Sequence, residues 1–179
     1  MGIETVKFFN RWEQGTAVDL LTRAVSYIPF ISAFWLLATA AIFFLDQQDG
    51  LKIAITMTIS ISLHAVITTG LLKRGLGRYH KRLRPYIAYP KEIIPLGKKE
   101  IDTSFPSRHM SANLSLLTVV VYFHPTIIPI AIIWAILTAL ARLHNGMHYL
   151  SDVVAGAILG IVYGMLAIYF LNSYYYVLS

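Results

Sequence analysis

Residues 109–141 read HMSANLSLLTVVVYFHPTIIPIAIIWAILTALA, a run of 33 residues between Arg108 and Arg142 without a Lys, Arg, Asp or Glu. One helix of that length would run about 50 Å at 1.5 Å per residue, well past a bilayer core of about 30 Å. At its centre lies HPTIIP, and Pro125 and Pro129 interrupt helical hydrogen bonding. The run therefore predicts two short spans joined by a tight turn. Arg108 and Arg142 then return to the same membrane surface.

Outward from this pair, the remaining spans follow from charge. Residues 24–45 carry no charge, DQQDG makes a turn, and 53–72 form a second span interrupted only by His64. Residues 153–179 form a last uncharged span with an aromatic end, YYYV, suited to the interface. At the start, Lys7, Arg11, Glu13, Asp19 and Arg23 are too many charges for a span. Val6, Phe9, Trp12, Ala17, Leu20 and Leu21 recur there at roughly helical spacing, which predicts an amphipathic helix over 1–23 lying in the interface. The expected fold is all-α: a polytopic membrane helical bundle of about five transmembrane helices plus that interfacial helix, one domain over 1–179.

Composition agrees. The chain is 56% hydrophobic and 13% charged, too apolar for a soluble fold of 179 residues. With no cysteine, disulfides and thiolate metal sites are excluded. A formal charge of +6 favours anionic partners such as membrane lipids and phosphates, and a chain mostly embedded in membrane excludes nucleic acid. In the span order above, the N-terminus, the 73–106 loop and the 142–152 loop share one face. Every Lys and Arg except Lys52 falls on it.

Three clusters meet on that face: KRGLGRYHKRLRP (73–85), SFPSRHMS (104–111) and RLHNGMHYLSD (142–152). Phosphate chemistry needs fixed positive charge around the phosphoryl oxygens, a nucleophile, and a proton donor for the leaving group. Arg84 and Arg142 can grip phosphate bidentately. Pro106 fits the first position of a helix, so the third span is expected to begin there, with free N–H groups, the Ser107 hydroxyl and, one turn inside, His109. His148 precedes Asp152 by four residues, so the carboxylate can accept from one imidazole nitrogen and leave the other free to attack phosphorus.

These spacings resemble the type 2 phosphatidic acid phosphatase superfamily of integral membrane lipid phosphatases. Its third motif is matched by Ala141-Arg142, five residues, His148, three residues, Asp152. The second is matched by Pro106-Ser107-Arg108-His109, and the first by Arg84-Pro85. The resemblance covers about residues 50–170. The chain departs at Gly77, where the family has Lys; Arg78 or Lys73 could supply that charge. Arg108 replaces a Gly and Ala141 a Ser.

The resemblance implies that His148 is the nucleophile and forms a phosphohistidine. Asp152 orients it, and His109 protonates the leaving oxygen and then activates water. Arg84, Arg142, Ser107 and the 107–109 backbone amides hold the phosphoryl oxygens, with either Arg78 or Lys73 in place of the family's lysine. The Arg108 side chain, where the family has Gly, either adds a contact there or points to headgroups. No metal or cofactor is implied. The substrate would be a phosphate monoester on a bacterial lipid (phosphatidylglycerophosphate, phosphatidate or lipid A 1-phosphate), with undecaprenyl diphosphate as the alternative. Two other classes compete: a zinc enzyme with His109, His148 and Asp152 as ligands, and a non-catalytic anionic-lipid-binding membrane protein. The basic bias alone would turn the active face to the cytoplasm. Phosphate binding accounts for many of those charges, and a bacterial inner membrane with a periplasmic active site is expected. Lys91, Lys98 and Lys99 read as a headgroup surface, His64 as a packed or hydrogen-bonded residue, and His80, His124 and His144 as turn or interface residues.

Overall fold

The computed structural model describes residues 2–11, 15 and 17–178. The described residues are mostly helical, with no strand among them. The short elements at the start are α1 (Ile3–Asn10) and α2 (Ala17–Ser26). Next come α3 (Ile28–Leu45) and α4 (Gly50–Leu63), the latter continuing through a π-helical stretch (His64–Gly75) and a 3₁₀ turn (Leu76–Arg78). A single turn, α5 (Pro85–Ala88), lies in the long loop. The last three are α6 (Arg108–Phe123), α7 (Ile128–His144) and α8 (Leu150–Leu178).

Among the described residues, four segments are long and apolar enough to cross a membrane: Ile28–Leu45, Gly50–Arg78, Pro125–His144 and Leu150–Tyr174. The fifth expected span, α6, has 16 residues, about 24 Å of helix. It is short because Ser107 starts it late and His124-Pro125 ends it early. The break inside 109–141 falls at a 3₁₀ turn, Pro125–Ile127. The second span runs past 72 to Arg78, which carries Lys73 on helical backbone toward the loop.

The N-terminal segment differs from one continuous helix. Gly15 sits between α1 and α2 at φ +86°, outside helical backbone, while Trp12 and Glu13 lie outside the described residues. Both helices dock onto the end of α7. Asn10 Nδ2 donates to the carbonyls of Ile94 (2.8 Å) and His144 (2.7 Å), and Asn10 Oδ1 accepts from Ile94 N–H. His144, expected at a turn or interface, is buried: Nε2 meets Asp19 Oδ1 at 2.7 Å and Nδ1 meets the Phe9 carbonyl at 2.7 Å. Leu20 and Leu21 remain exposed on the outer side of α2, where an interfacial helix needs apolar surface.

Glycine sets the tightest packing. Gly156, Gly160 and Gly164 recur every fourth residue on α8 and face α6, the small-residue spacing that lets membrane helices approach closely. A Cβ at Gly156 would stand 2.6 Å from the Ser107 carbonyl, one at Gly160 2.5 Å from the Ser111 carbonyl, and one at Gly164 2.5 Å from Thr118 Cβ. Polar bonds then fix register. Ser60 Oγ donates to the Ser115 carbonyl, Thr68 Oγ1 pairs with Tyr163 Oη, and His64 Nδ1 pairs with Ser111 Oγ at 3.0 Å. Asn113 Oδ1 accepts from both Trp35 Nε1 (2.7 Å) and Trp134 Nε1 (3.0 Å), tying α3, α6 and α7 together. Beyond these contacts α3 is peripheral, with Leu36, Leu37, Phe44 and Leu45 turned outward toward lipid.

Candidate active site

The end of α7 is shaped by Gly146. It follows the last helical turn at φ +66°, and its N–H bonds the Leu143 carbonyl while Met147 N–H bonds the Arg142 carbonyl. This is a glycine-terminated helix end. It redirects the chain within two residues and places His148 beside the start of α8. There Asp152 Oδ2 accepts the Tyr149 N–H at 2.9 Å, reaching back to cap its own helix. Ser107 N–H donates to the Asp152 carbonyl at 3.0 Å, so the starts of α6 and α8 are pinned side by side.

His148 is 1% exposed and Asp152 fully buried. The imidazole Nδ1 lies 2.8 Å from the Ser104 carbonyl and 3.7 Å from Asp152 Oδ2. A carbonyl only accepts, so Nδ1 carries the proton and Nε2 holds the lone pair. The tautomer is thus fixed first by a backbone carbonyl, with Asp152 behind it at longer range. Nε2 faces Arg84 Nη1 at 3.2 Å. Burial, then the charges of Arg142 and Arg84, push the His148 pKa well below its usual range, so the ring is neutral at neutral pH.

Asp152 has a partner that reading the sequence missed. Arg82 Nη1 donates to Asp152 Oδ1 at 2.6 Å and to Ser151 Oγ at 2.9 Å, and its guanidinium lies 4.3 Å from the centre of the Tyr149 ring. The Arg82 backbone also clasps the loop that carries Ser104. Arg82 N–H donates to Thr103 Oγ1, and Ser104 N–H donates to the Arg82 carbonyl at 2.9 Å. Arg82 therefore touches both groups that orient His148.

Around this core stand Lys73, Arg84, Arg108 and Arg142. Arg84 is fully buried. Its five N–H donors are all engaged: Nε with the Asp102 carbonyl (3.3 Å), Nη1 with the Met147 carbonyl (3.1 Å) and His148, Nη2 with Glu100 Oε2 (2.5 Å) and Asp102 Oδ1 (2.5 Å). Arg108 Nη2 reaches the same two carboxylates at 3.1 and 3.3 Å. Lys73 Nζ lies 3.5 Å from Asp102 Oδ2 and bonds the Thr103 carbonyl. Burial alone would push the Glu100 and Asp102 carboxyls up, but Arg84 and its neighbouring cations outweigh it and hold both below their ordinary values. Both are ionised. Neither had been picked out as part of the site.

Among the buried polar atoms without a partner in the described residues are Ser107 Oγ, His109 Nδ1 and Arg142 Nε. Buried polar atoms without partners are uncommon and point to a ligand or water. His109 Nε2 is spent on the Ser26 carbonyl at 3.0 Å, which leaves Nδ1 as its free nitrogen. Two cavities converge here. One of about 420 Å³ is lined by Arg142, Glu100, Arg23 and Lys98 at its polar parts, and by Leu20, Tyr27, Ile28 and Met147 elsewhere. The other, about 260 Å³, holds Arg108 and His109 against Ile28, Ile31 and Ile61.

The structure thus brings together His148, Asp152, Arg84, Arg142, Ser107, Arg108, His109 and Lys73. Of the two candidates for the missing lysine, Arg78 is exposed in the 3₁₀ turn that ends the second span, while Lys73, one turn deeper, is buried beside Asp102. Pro106 is corrected. The Phe105–Pro106 bond is cis, α6 begins at Arg108, and Ser107 is the N-cap, with a hydroxyl that makes no capping bond. No group of three or more His, Cys, Asp or Glu side chains among the described residues could hold a metal ion.

Comparison with known proteins agrees with this architecture. The chain is 24% identical over 162 residues to the bacitracin transport permease protein BcrC of Bacillus licheniformis, covering 90% of this chain and 76% of that protein. The fold is similar to the crystal structure of Aquifex aeolicus LpxE, with a TM-score of 0.72 at 21% identity over 93% of this chain and 94% of that one. It is also similar to the first transmembrane PAP2 type phosphatidylglycerolphosphate phosphatase from Bacillus subtilis, with a TM-score of 0.67 at 23% identity over 95% and 84% of the two chains. Residues 50–175, carrying every buried residue of the cluster, match the PAP2 superfamily, and the chain belongs to that family of membrane phosphatases.

Proposed function

We propose that the whole chain acts as one membrane-embedded lipid phosphatase, hydrolysing a phosphate monoester on a bacterial lipid through a phosphohistidine. One observation carries this reading. His148 Nε2 is left unprotonated by the Nδ1–Ser104 bond, and it sits among buried groups that lack partners, Ser107 Oγ, His109 Nδ1 and Arg142 Nε.

The steps follow from these positions. The phosphoryl oxygens are taken by Arg142, Ser107, Arg108, Lys73 and the first N–H groups of α6, and Arg84 Nη1 turns from His148 to the phosphate. Nε2 attacks phosphorus, and the P–O bond to the lipid breaks. His109, held at Nε2 by Ser26, takes up a proton from solvent at Nδ1 as the anionic phosphate arrives beside it, and donates that proton to the leaving oxygen. His109 then takes a proton from water, the water oxygen attacks phosphorus, and the P–N bond breaks to release phosphate. Asp152, charge-balanced by Arg82, stabilises the imidazolium in between. The fixed cations and the start of α6 supply the electrostatics. The 420 Å³ cavity opens between α2, α3 and the loop, where a lipid leaving group would lie.

Arg23 and Lys98 on that cavity favour a second reading, a lipid diphosphate whose inner phosphate they would hold. The active face is assigned to the periplasmic side of a bacterial inner membrane, where anionic membrane lipids meet Lys91 and Lys99. Protease access to the 86–100 loop in oriented vesicles tests that orientation. A phosphate-release panel over phosphatidylglycerophosphate, phosphatidate, lipid A 1-phosphate and undecaprenyl diphosphate, run with chelator and with His148→Ala, tests the activity. Release from at least one lipid, resistant to chelator and lost in the variant, is expected; no release from any of them refutes the proposal.

A further inference from the structure

We propose that Glu100 and Asp102 are specificity-determining residues: their carboxylates occupy the phosphate-binding cations, and only a dianionic phosphate monoester displaces them efficiently. The inference rests on the phosphatase reading for its substrate, but its geometry stands alone. Arg84 has no donor to spare, and two of its five bonds end on Glu100 Oε2 and Asp102 Oδ1. Arg108 is committed to the same pair, and Lys73 lies 3.5 Å from Asp102. A phosphate cannot reach Arg84 Nη2 until these carboxylates leave it.

The exchange is balanced in charge. Two carboxylates carry two negative charges, as does a phosphate monoester once fully ionised. A phosphodiester headgroup carries one, so its binding would leave a buried cation without a counter-charge, a costly outcome. Anionic diesters are the main competitors in any bacterial membrane, and the pair makes the cradle discriminate against them. The displacement needs only side chains. The segment is anchored before Glu100 by Leu96 N–H on the Asn145 carbonyl and after Asp102 by Ser104 N–H on the Arg82 carbonyl. At Glu100 itself, Tyr86 Oη donates to the backbone carbonyl at 2.6 Å, so the backbone is fixed independently of the carboxylate, which is held by Arg84 and Arg108. Glu100 also lines the 420 Å³ cavity, so a substrate arriving there meets it before reaching His148.

The test compares wild type with Glu100→Gln, Asp102→Asn and the double variant in detergent micelles. Orthophosphate binding is measured calorimetrically, and KM and kcat are measured on a short-chain phosphate monoester with and without phosphatidylglycerol. Losing a charge-assisted competitor should tighten orthophosphate and lower KM by about tenfold or more. kcat should hold or fall as product leaves more slowly, and phosphatidylglycerol should become an inhibitor. If the pair merely holds the fold together, KM rises, kcat falls and orthophosphate weakens, and the proposal is wrong. Each single variant carries the same prediction should the double variant fail to fold. Phosphate release by wild type with no tightening in any variant overturns the gate and spares the function. Tighter orthophosphate with no turnover by any form spares the gate and overturns the function.

Discussion

Gly156→Ala tests whether the site depends on how closely α8 approaches α6. Gly156 lies one turn beyond Asp152 and faces Ser107, the N-cap of α6. A Cβ there would stand 2.6 Å from the Ser107 carbonyl, 3.1 Å from Met110 Cβ and 3.2 Å from Ser107 Cβ. The carbonyl is backbone, so no side-chain rotation relieves the clash. The two helices must part by roughly 0.8 Å to restore an ordinary contact, and that movement separates the Ser107–His109 end from the Asp152–His148 end. A misplacement near 1 Å costs on the order of 100-fold in rate, while overpacking destabilises by about 1–3 kcal/mol. The bundle should therefore survive and catalysis should not. Initial rates of phosphate release in micelles, with thermal unfolding of the same samples, separate the two. The reasoning is refuted if Gly156→Ala turns over within threefold of wild type, or if activity falls only in proportion to protein lost to unfolding.

Three further outcomes are expected. Arg82→Ala should lower kcat about tenfold or more, the scale of one lost charge-assisted bond of ~1.5–3 kcal/mol, because Asp152 loses its counter-charge; Arg82→Lys should recover part of it, and an unchanged kcat in Arg82→Ala counts against that role. His148 titrates below its ordinary value of about 6.5, so its attacking form persists as pH falls. kcat/KM should show no acid limb from this group until pH drops below about 6.5, and a limb centred at or above that value contradicts the burial argument. Asn113→Leu strands two indole N–H groups and should cost about 2–4 kcal/mol, read as a lower Tm in detergent; an unchanged Tm removes Asn113 as the tie between α3, α6 and α7.

Charge and proline were enough to locate the spans. The uncharged run ending at Arg142 and the prolines at 125 and 129 placed α6, α7 and their turn, because bilayer thickness leaves few alternatives. The clusters were legible for a related reason: a charge at the end of an apolar helix must have a partner or a ligand. Glu100 and Asp102 were less visible. Two acids in KKEID look like part of a solvated loop until the fold returns them to Arg84, and only the excess of cations around them hinted at a need for counter-ions. Arg82 stands two residues before Arg84 in extended chain, where period-2 spacing could have turned both toward the site. The glycines at 156, 160 and 164 were readable as a close-packing stripe and went unread. The bonds His109–Ser26 and His144–Asp19 span 83 and 125 residues, and no local pattern encodes them.

The central claim is that His148 Nε2 attacks phosphorus. The direct measurement is rapid acid-free quenching of the protein with a phosphate-labelled lipid substrate, followed by peptide mapping of the label. The account predicts an acid-labile, alkali-stable phosphoryl group on His148. The label should be absent in His148→Ala. Turnover without label on any residue, or label on a residue other than His148, would contradict it.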